Sequence, residues 1–234
     1  MPTMNWLKKE FSYGYQSGNI LSIFPNKTRR KEERSIGGSY RRFFGKSFGK
    51  CVRPDSRVLE LGPGYGSWSR AILSCIPQGE LHTVDFQDVT QWLDPNQYNG
   101  RLRCFHAEDN SFNSVPDSHF DIFWSFGVLC HQNQEHLQEI LSNALVKLKP
   151  GGIAIHQYAD WQKLDQHGWH RRMGVPGDFQ DKPDDEIWWP RNNQQIMAEI
   201  CRSAGWVVKT IDLDCFERDS VVVLERPTVR SEAA

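Results

Sequence analysis

The sequence predicts an α/β fold, a mainly parallel sheet with helices on both faces. Three observations predict it. Short apolar runs of strand character alternate with segments of 3.6-residue apolar period. A turn with Gly at 62, 64 and 66 joins the first strand to the helix that follows it. The last two apolar runs have no helix between them, so they form an antiparallel pair. Regular alternation of this kind buries both faces of a sheet under helices.

The elements follow in order. Residues 1–50 are rich in aromatic, Gly and basic residues and lack a clean strand, so they read as a helical N-terminal cap before a core over 51–234. Pro54 and Asp55 turn the chain into the first strand, 57–61. The pattern at 67–76 predicts the first core helix. Further strands are predicted at 81–85, 102–106, 120–126 and 152–158. Between the last two, apolar residues at 137, 140, 141, 144, 145 and 148 predict a helix over 134–148, stopped by Lys149-Pro-Gly-Gly152. Asn192 or Asn193 caps a helix running to Ser203. Strands over 206–213 and 220–224 complete seven.

The chain has 234 residues, 38% apolar and 24% charged, which suits one soluble domain with an appended lid. Its net charge of −1 carries no signature of nucleic-acid or anionic-membrane binding. The basic run 27–34 is interrupted by Glu32 and Glu33 and reads as a solvated helix or arm. None of the six Cys forms a C-x-x-C pair, which predicts free thiols in a reducing compartment. With no signal-like segment and no long apolar run, a cytoplasmic monomer or homodimer without a membrane span is expected.

In such sheets a ligand binds beyond the carboxyl ends of the strands. Residues 62–67, Asp85, 108–109, 125–131 and 156–160 are therefore expected in one cleft. A dinucleotide loop has G-x-G-x-x-G spacing, whereas this loop reads G-P-G-Y-G, and Pro63 offers no N–H to a pyrophosphate. Asp85 is placed to accept ribose hydroxyls of a nicotinamide cofactor or of another adenosine ligand, and by itself does not choose between them.

VLELGPGYGSWS at 58–69, Asp85 after HTV, AEDNSF at 107–112, FDIFWSFGVLCH at 120–131 and LVKLKPGG at 145–152 together resemble the class I S-adenosylmethionine-dependent methyltransferases. The resemblance covers about seven-tenths of the chain and implies a Rossmann-like seven-stranded sheet. It implies S-adenosylmethionine as cofactor, with Glu60 near the methionine amino group and Gly62, Gly64 and Gly66 against the ligand. Asp85 would hold the ribose, Asp109 the adenine amine, and Ser125 and Phe126 would flank the methionine end. Asp109 also reads as an Asx turn, and Ser125 as packing.

Methylation of a hydroxyl needs a base, which His131 or His156 is placed to supply; each also reads as a structural hydrogen-bonding group. Asp160 is expected to orient a His or accept a substrate hydroxyl. The long connection 159–190 carries Trp161, Trp169, Trp188, Trp189 and Phe179 among His167, His170, Arg171 and Arg172. It reads as a lid, with Trp161, Trp169 and Trp188 on the substrate, or as a satellite apolar cluster. His156, His167 and His170 match no metal spacing, so no metal is expected. The expectation is methylation of a small molecule, foremost a hydroxyl of a sugar or secondary metabolite, with no nucleic-acid partner. N-methylation of a small amine or amino acid and a non-catalytic cofactor-fold binding protein are the alternatives.

Overall fold

The computed structural model describes residues 16–169 and 174–228. Residues 1–15 of the expected cap and His170, Arg171 and Arg172 of the expected lid lie outside them. Three helices come first: α1 (Lys27–Ile36), α2 (Tyr40–Lys46) and α3 (Phe48–Cys51). Then follow β1 (Arg57–Leu61), α4 (Ser67–Cys75), β2 (Glu80–Asp85), β3 (Leu102–His106) and β4 (Phe120–Ser125). The chain continues through α5 (Gln134–Leu145), β5 (Leu148–Ala159), α6 (Trp161–His167), α7 (Gln194–Ser203), β6 (Val207–Thr210) and β7 (Asp219–Glu225). Asn side chains start three helices by accepting backbone N–H groups: Asn26 from Arg29, Asn133 from His136 and Asn193 from Ile196. Of the two candidate caps before α7, Asn193 is the one used.

The seven strands lie in the order β3-β2-β1-β4-β5-β7-β6. Strands β1 to β5 pair in parallel, and β7 runs antiparallel to both β5 and β6. Leu61 is in register with Val84 on one side and Ser125 on the other, so β1, β2 and β4 end level. That alignment brings the Gly loop, Asp85 and the segment after β4 to one edge.

Two boundaries differ from the sequence expectation. Helix α5 stops at Leu145 instead of 148, and β5 starts at Leu148 instead of 152. The carbonyl of Lys147 accepts from the backbone N–H groups of His119 and Phe120, so the chain has joined the sheet edge by that point. Pro150 is tolerated inside β5 because the pairing shifts register between Phe120 and Ile122. Strand β6 is also shorter than expected. Trp206 leaves it to donate its indole N–H to the Leu141 carbonyl at 2.9 Å.

Both sheet faces are covered. On one, Ile36, Tyr40, Phe43 and Phe48 pack with Trp68 and Ile72 of α4 against Ile122 and Trp124 of β4. Phe43 stacks on Trp124 at 5.4 Å between ring centroids. The described part of residues 1–50 thus shares its core with the sheet. On the other face, Leu137 and Leu141 of α5 and Met197 of α7 cover Leu59, Phe123 and Ala154. A third cluster of Cys130, Leu164, Val175, Phe179, Ile187 and Trp189 lies within and beneath the 159–190 connection. Among the described residues, no helix is long and apolar enough to cross a membrane.

Candidate active site

Strand β1 ends at Leu61, and the chain turns through three left-handed residues, Gly62 (φ +69°), Gly64 (φ +51°) and Gly66 (φ +76°), into α4. A Cβ on Gly62 would lie 2.3 Å from Val128 Cγ2, because the segment after β4 presses on the loop. Only Gly allows both that conformation and that approach. Arg70 clips the loop to the next connection by donating to the carbonyls of Tyr65 (2.6 Å) and Trp92 (2.5 Å). Trp92 donates its indole N–H to the Gly64 carbonyl, and its ring packs on Tyr65 at 4.9 Å.

Two acids lie beneath this loop. Glu60, on β1, is 1% exposed and accepts from Ser69 Oγ at 2.6 Å. Burial pushes its carboxyl up to about 8 against the opposing effect of that hydrogen bond, and the charge of Asp85 adds to the rise. Asp85 ends β2, is 5% exposed and accepts from the backbone N–H of Gln87 at 2.9 Å. Burial pushes it up to about 6, although backbone N–H groups of Gln87, Gly64 and Phe86 favour its charge. Neither acid has a salt bridge among the described residues. Buried carboxylates without a counter-ion suit a ligand that brings a cation and hydroxyl donors. The residues present therefore fit S-adenosylmethionine, which would bring an ammonium and ribose hydroxyls to such acids.

The other expected site residues fall in different places. Asp109 is exposed and accepts from the Ser111 N–H at 2.9 Å, which makes it the head of an Asx turn. Ser125 and His156 do not line a cleft. Both are fully buried, and Ser125 Oγ lies 2.8 Å from His156 Nδ1. His156 packs edge-on against Phe123 at 4.5 Å, and burial pushes it down to about 3. The sheet face opposite Ile155 is a second core, so that position holds a structural imidazole. Phe126 lies in the aromatic core, 4.6 Å from Trp68.

Asp160 is likewise built into the fold. It accepts from the N–H groups of Gln162 and Lys163 at the start of α6, from Ser220 Oγ at 2.7 Å and from Gln194 Nε2 at 3.3 Å. Trp161 and Trp169 pack on each other at 4.8 Å, and their indole N–H groups reach the Trp189 carbonyl and Asp165. The described residues of the 159–190 connection thus pack on one another around Leu164, Val175, Phe179, Ile187 and Trp189.

His131 is the exception. It closes the short 3₁₀ turn Leu129–His131 after β4, and its Nδ1 lies 2.7 Å from the Trp188 carbonyl. A carbonyl only accepts, so Nδ1 carries the proton and Nε2 the lone pair. The rings of Trp188 and Trp189, at 5.8 and 5.1 Å, desolvate the imidazole and push it down to about 4.

A buried polar chain holds the same segment and was missed in the sequence. Gly127 N–H donates to Gln157 Oε1 (2.9 Å), and Gln157 Nε2 to Asp219 Oδ2 (2.6 Å). Arg218 grips Asp219 with two bonds of 2.8 Å and lies 4.7 Å over the Trp189 ring. A lone Gln in the apolar run of β5 and an Asp opening β7 were the available signals.

The methyltransferase-domain family matches residues 28–210. The ubiquinone/menaquinone biosynthesis C-methyltransferase UbiE of Ectopseudomonas mendocina is 32% identical over 109 residues, 43% of this chain and 41% of that protein. The glycine/sarcosine/dimethylglycine N-methyltransferase of Actinopolyspora halophila is 23% identical over 155 residues, 62% of this chain and 26% of that protein. The chain therefore spans less than half the length of the curated relatives it matches. In fold it is similar to a SAM-dependent methyltransferase from Aquifex aeolicus, at a TM-score of 0.61 and 16% identity over 84% of this chain and 93% of that one. With the Gly loop and two buried acids in this sheet, the chain belongs to the class I S-adenosylmethionine-dependent methyltransferase family.

Proposed function

We propose that this enzyme methylates an acidic hydroxyl of a small natural product, with His131 as the general base. The observation that carries the reading is the Nδ1 contact of His131 with the Trp188 carbonyl, which holds the imidazole in one tautomer in the turn that begins at Val128, the residue that presses on Gly62. S-adenosylmethionine supplies a methyl group on a sulfonium, which leaves as a neutral thioether. The acceptor oxygen bonds the methyl carbon as the carbon–sulfur bond breaks, and the hydroxyl proton passes to Nε2 of His131 and on to solvent. An imidazole of such low basicity suits a phenol or an enol better than a sugar alcohol. Glu60 would orient the ammonium of the bound cofactor and Asp85 its ribose, with Val128 bracing the Gly62 turn.

Asp85→Ala is expected to weaken S-adenosylmethionine binding by roughly 1–3 kcal/mol, the scale of lost charge-assisted hydrogen bonds. Calorimetric titration reads this directly, and an unchanged affinity removes Asp85 from the site. For His131, the folded pKa of about 4 keeps the base neutral throughout the ordinary assay range. With saturating S-adenosylmethionine and a phenolic acceptor, kcat/KM for the acceptor should show no acid limb from His131 at pH 6–7, and His131→Ala should lose about 10²–10⁴-fold. A break near pH 6.5 that survives in His131→Ala would assign the base elsewhere.

A second reading is C-methylation of an enolisable carbon, favoured by the 32% identity to UbiE, a C-methyltransferase. The same imidazole would take the proton from carbon. Product analysis after incubation with a phenol, a 1,3-dicarbonyl compound and a secondary amine separates the oxygen and carbon readings from nitrogen methylation.

A further inference from the structure

We propose that Glu80, His82 and His119 form a binding site for a divalent transition metal of the zinc type, at the sheet edge opposite the cofactor loop. Glu80 and His82 are two apart on β2 and so share one face of the strand. His119 immediately precedes β4, and β1 runs between the two strands. The fold brings all three to one point: His119 Nε2 is 2.7 Å from Glu80 Oε1, and His82 Nε2 is 3.1 Å from Glu80 Oε2. The three ligand atoms lie within 4.8 Å of one another, the only such His, Cys and carboxylate group among the described residues. Tetrahedral zinc at ~2.0–2.1 Å from each ligand places its ligand atoms about 3.3 Å apart. Binding an ion would part His119 from Glu80 beyond 2.7 Å and bring one Glu80 oxygen within reach of both rings.

Two imidazoles and one carboxylate are the donor set of an open zinc site, with solvent in the fourth position. Access exists here. Glu80 and His119 are about one-fifth exposed, and Glu80 lines a polar cavity of about 510 Å³ with Arg57, Arg101 and Lys149. His82 is 2% exposed, and its Nδ1 has no hydrogen-bond partner. On metal binding Nε2 of each ring would turn from Glu80 to the ion.

Arg57 is the competitor for a metal at this site. Its guanidinium approaches Glu80 Oε1 and His119 Nδ1, each at 3.3 Å, while its side chain is 46% exposed. A cation there holds the network together but competes with a bound metal for the same ligands. Removing it should therefore strengthen metal binding.

The test is equilibrium dialysis of the chelator-treated full chain against Zn²⁺, with Co²⁺ absorbance reporting coordination. One equivalent of Zn²⁺ per chain is expected, with Co²⁺ giving the intense visible bands of a four-coordinate site. His119→Ala and Glu80→Gln should each lose at least tenfold in affinity, and Arg57→Ala should gain at least threefold. S-adenosylmethionine affinity should be unchanged in all three, which makes this result independent of the methyl-transfer reading. Lack of stoichiometric uptake, unaltered uptake in His119→Ala and Glu80→Gln, or weaker binding in Arg57→Ala would each overturn the proposal.

Discussion

Glu60→Gln should melt higher than the natural chain without cofactor, and bind S-adenosylmethionine less tightly. The two effects have one cause. Glu60 is sealed beneath the Gly loop with Ser69 as its hydrogen-bond partner, and burial raises its carboxyl from 4.5 to about 8. Between those values the folded chain holds a proton that the unfolded chain releases, so stability falls as pH rises from 4.5 toward 8. At pH 7 the gap corresponds to about 3 kcal/mol at 1.36 kcal/mol per unit. Gln keeps the acceptor for Ser69 and carries no titratable group. The variant should therefore gain roughly 6–12 °C in Tm at pH 7 and little near pH 4.5. Binding changes in the opposite direction. An ammonium beside Glu60 favours its charged form, and losing that charge-assisted bond should weaken affinity by roughly 1.5–3 kcal/mol. Thermal scans of both proteins from pH 5 to 8 check the first half, and a difference that does not grow with pH would refute it. Calorimetry in buffers of different ionisation heat checks the second, since ligand binding to the natural chain near pH 7 should release a proton.

The second large effect is expected at Gly62. An added methyl must adopt φ +69° and meet Val128 Cγ2 at 2.3 Å. The left-handed conformation costs about 1–2 kcal/mol and the overpacking about 1–3 kcal/mol. Gly62→Ala should thus lose about 2–5 kcal/mol of stability and displace the loop from the cofactor. Val128→Ala removes the clashing atom but not the backbone strain. Combined with Gly62→Ala, it should recover part of the loss, a favourable coupling of the kind contacting residues show. Denaturant titration of the two single variants and the double variant measures that coupling. Strictly additive losses would show that Val128 does not press on the loop.

Much of this protein was legible in its sequence. Strand alternation in β1 to β5 and the missing helix before β7 led to the sheet order class, and the glycines and Asp85 to the cofactor edge. These features are local: a turn needs its glycines, and a strand end needs its acid, wherever the chain goes next. Side-chain direction near a strand end was not legible. Ser125 and His156 look alike in sequence whether they face a cleft or a second core, and α5 and α7 packed across that face made it a core. Asp160 could not be told from a substrate ligand until Ser220, sixty residues on, reached it. The Trp-rich connection looked like an open lid because composition does not reveal whether aromatics stack on a ligand or on one another.

The sequence by itself determined the α/β architecture, the family and the cofactor loop, because each rests on residues close along the chain. Only the tertiary structure decided which polar groups are buried, that His131 Nδ1 meets the Trp188 carbonyl, and that Glu80, His82 and His119 meet. Those outcomes depend on strands that are neighbours in the sheet but distant in the chain, and on the desolvation that such packing imposes.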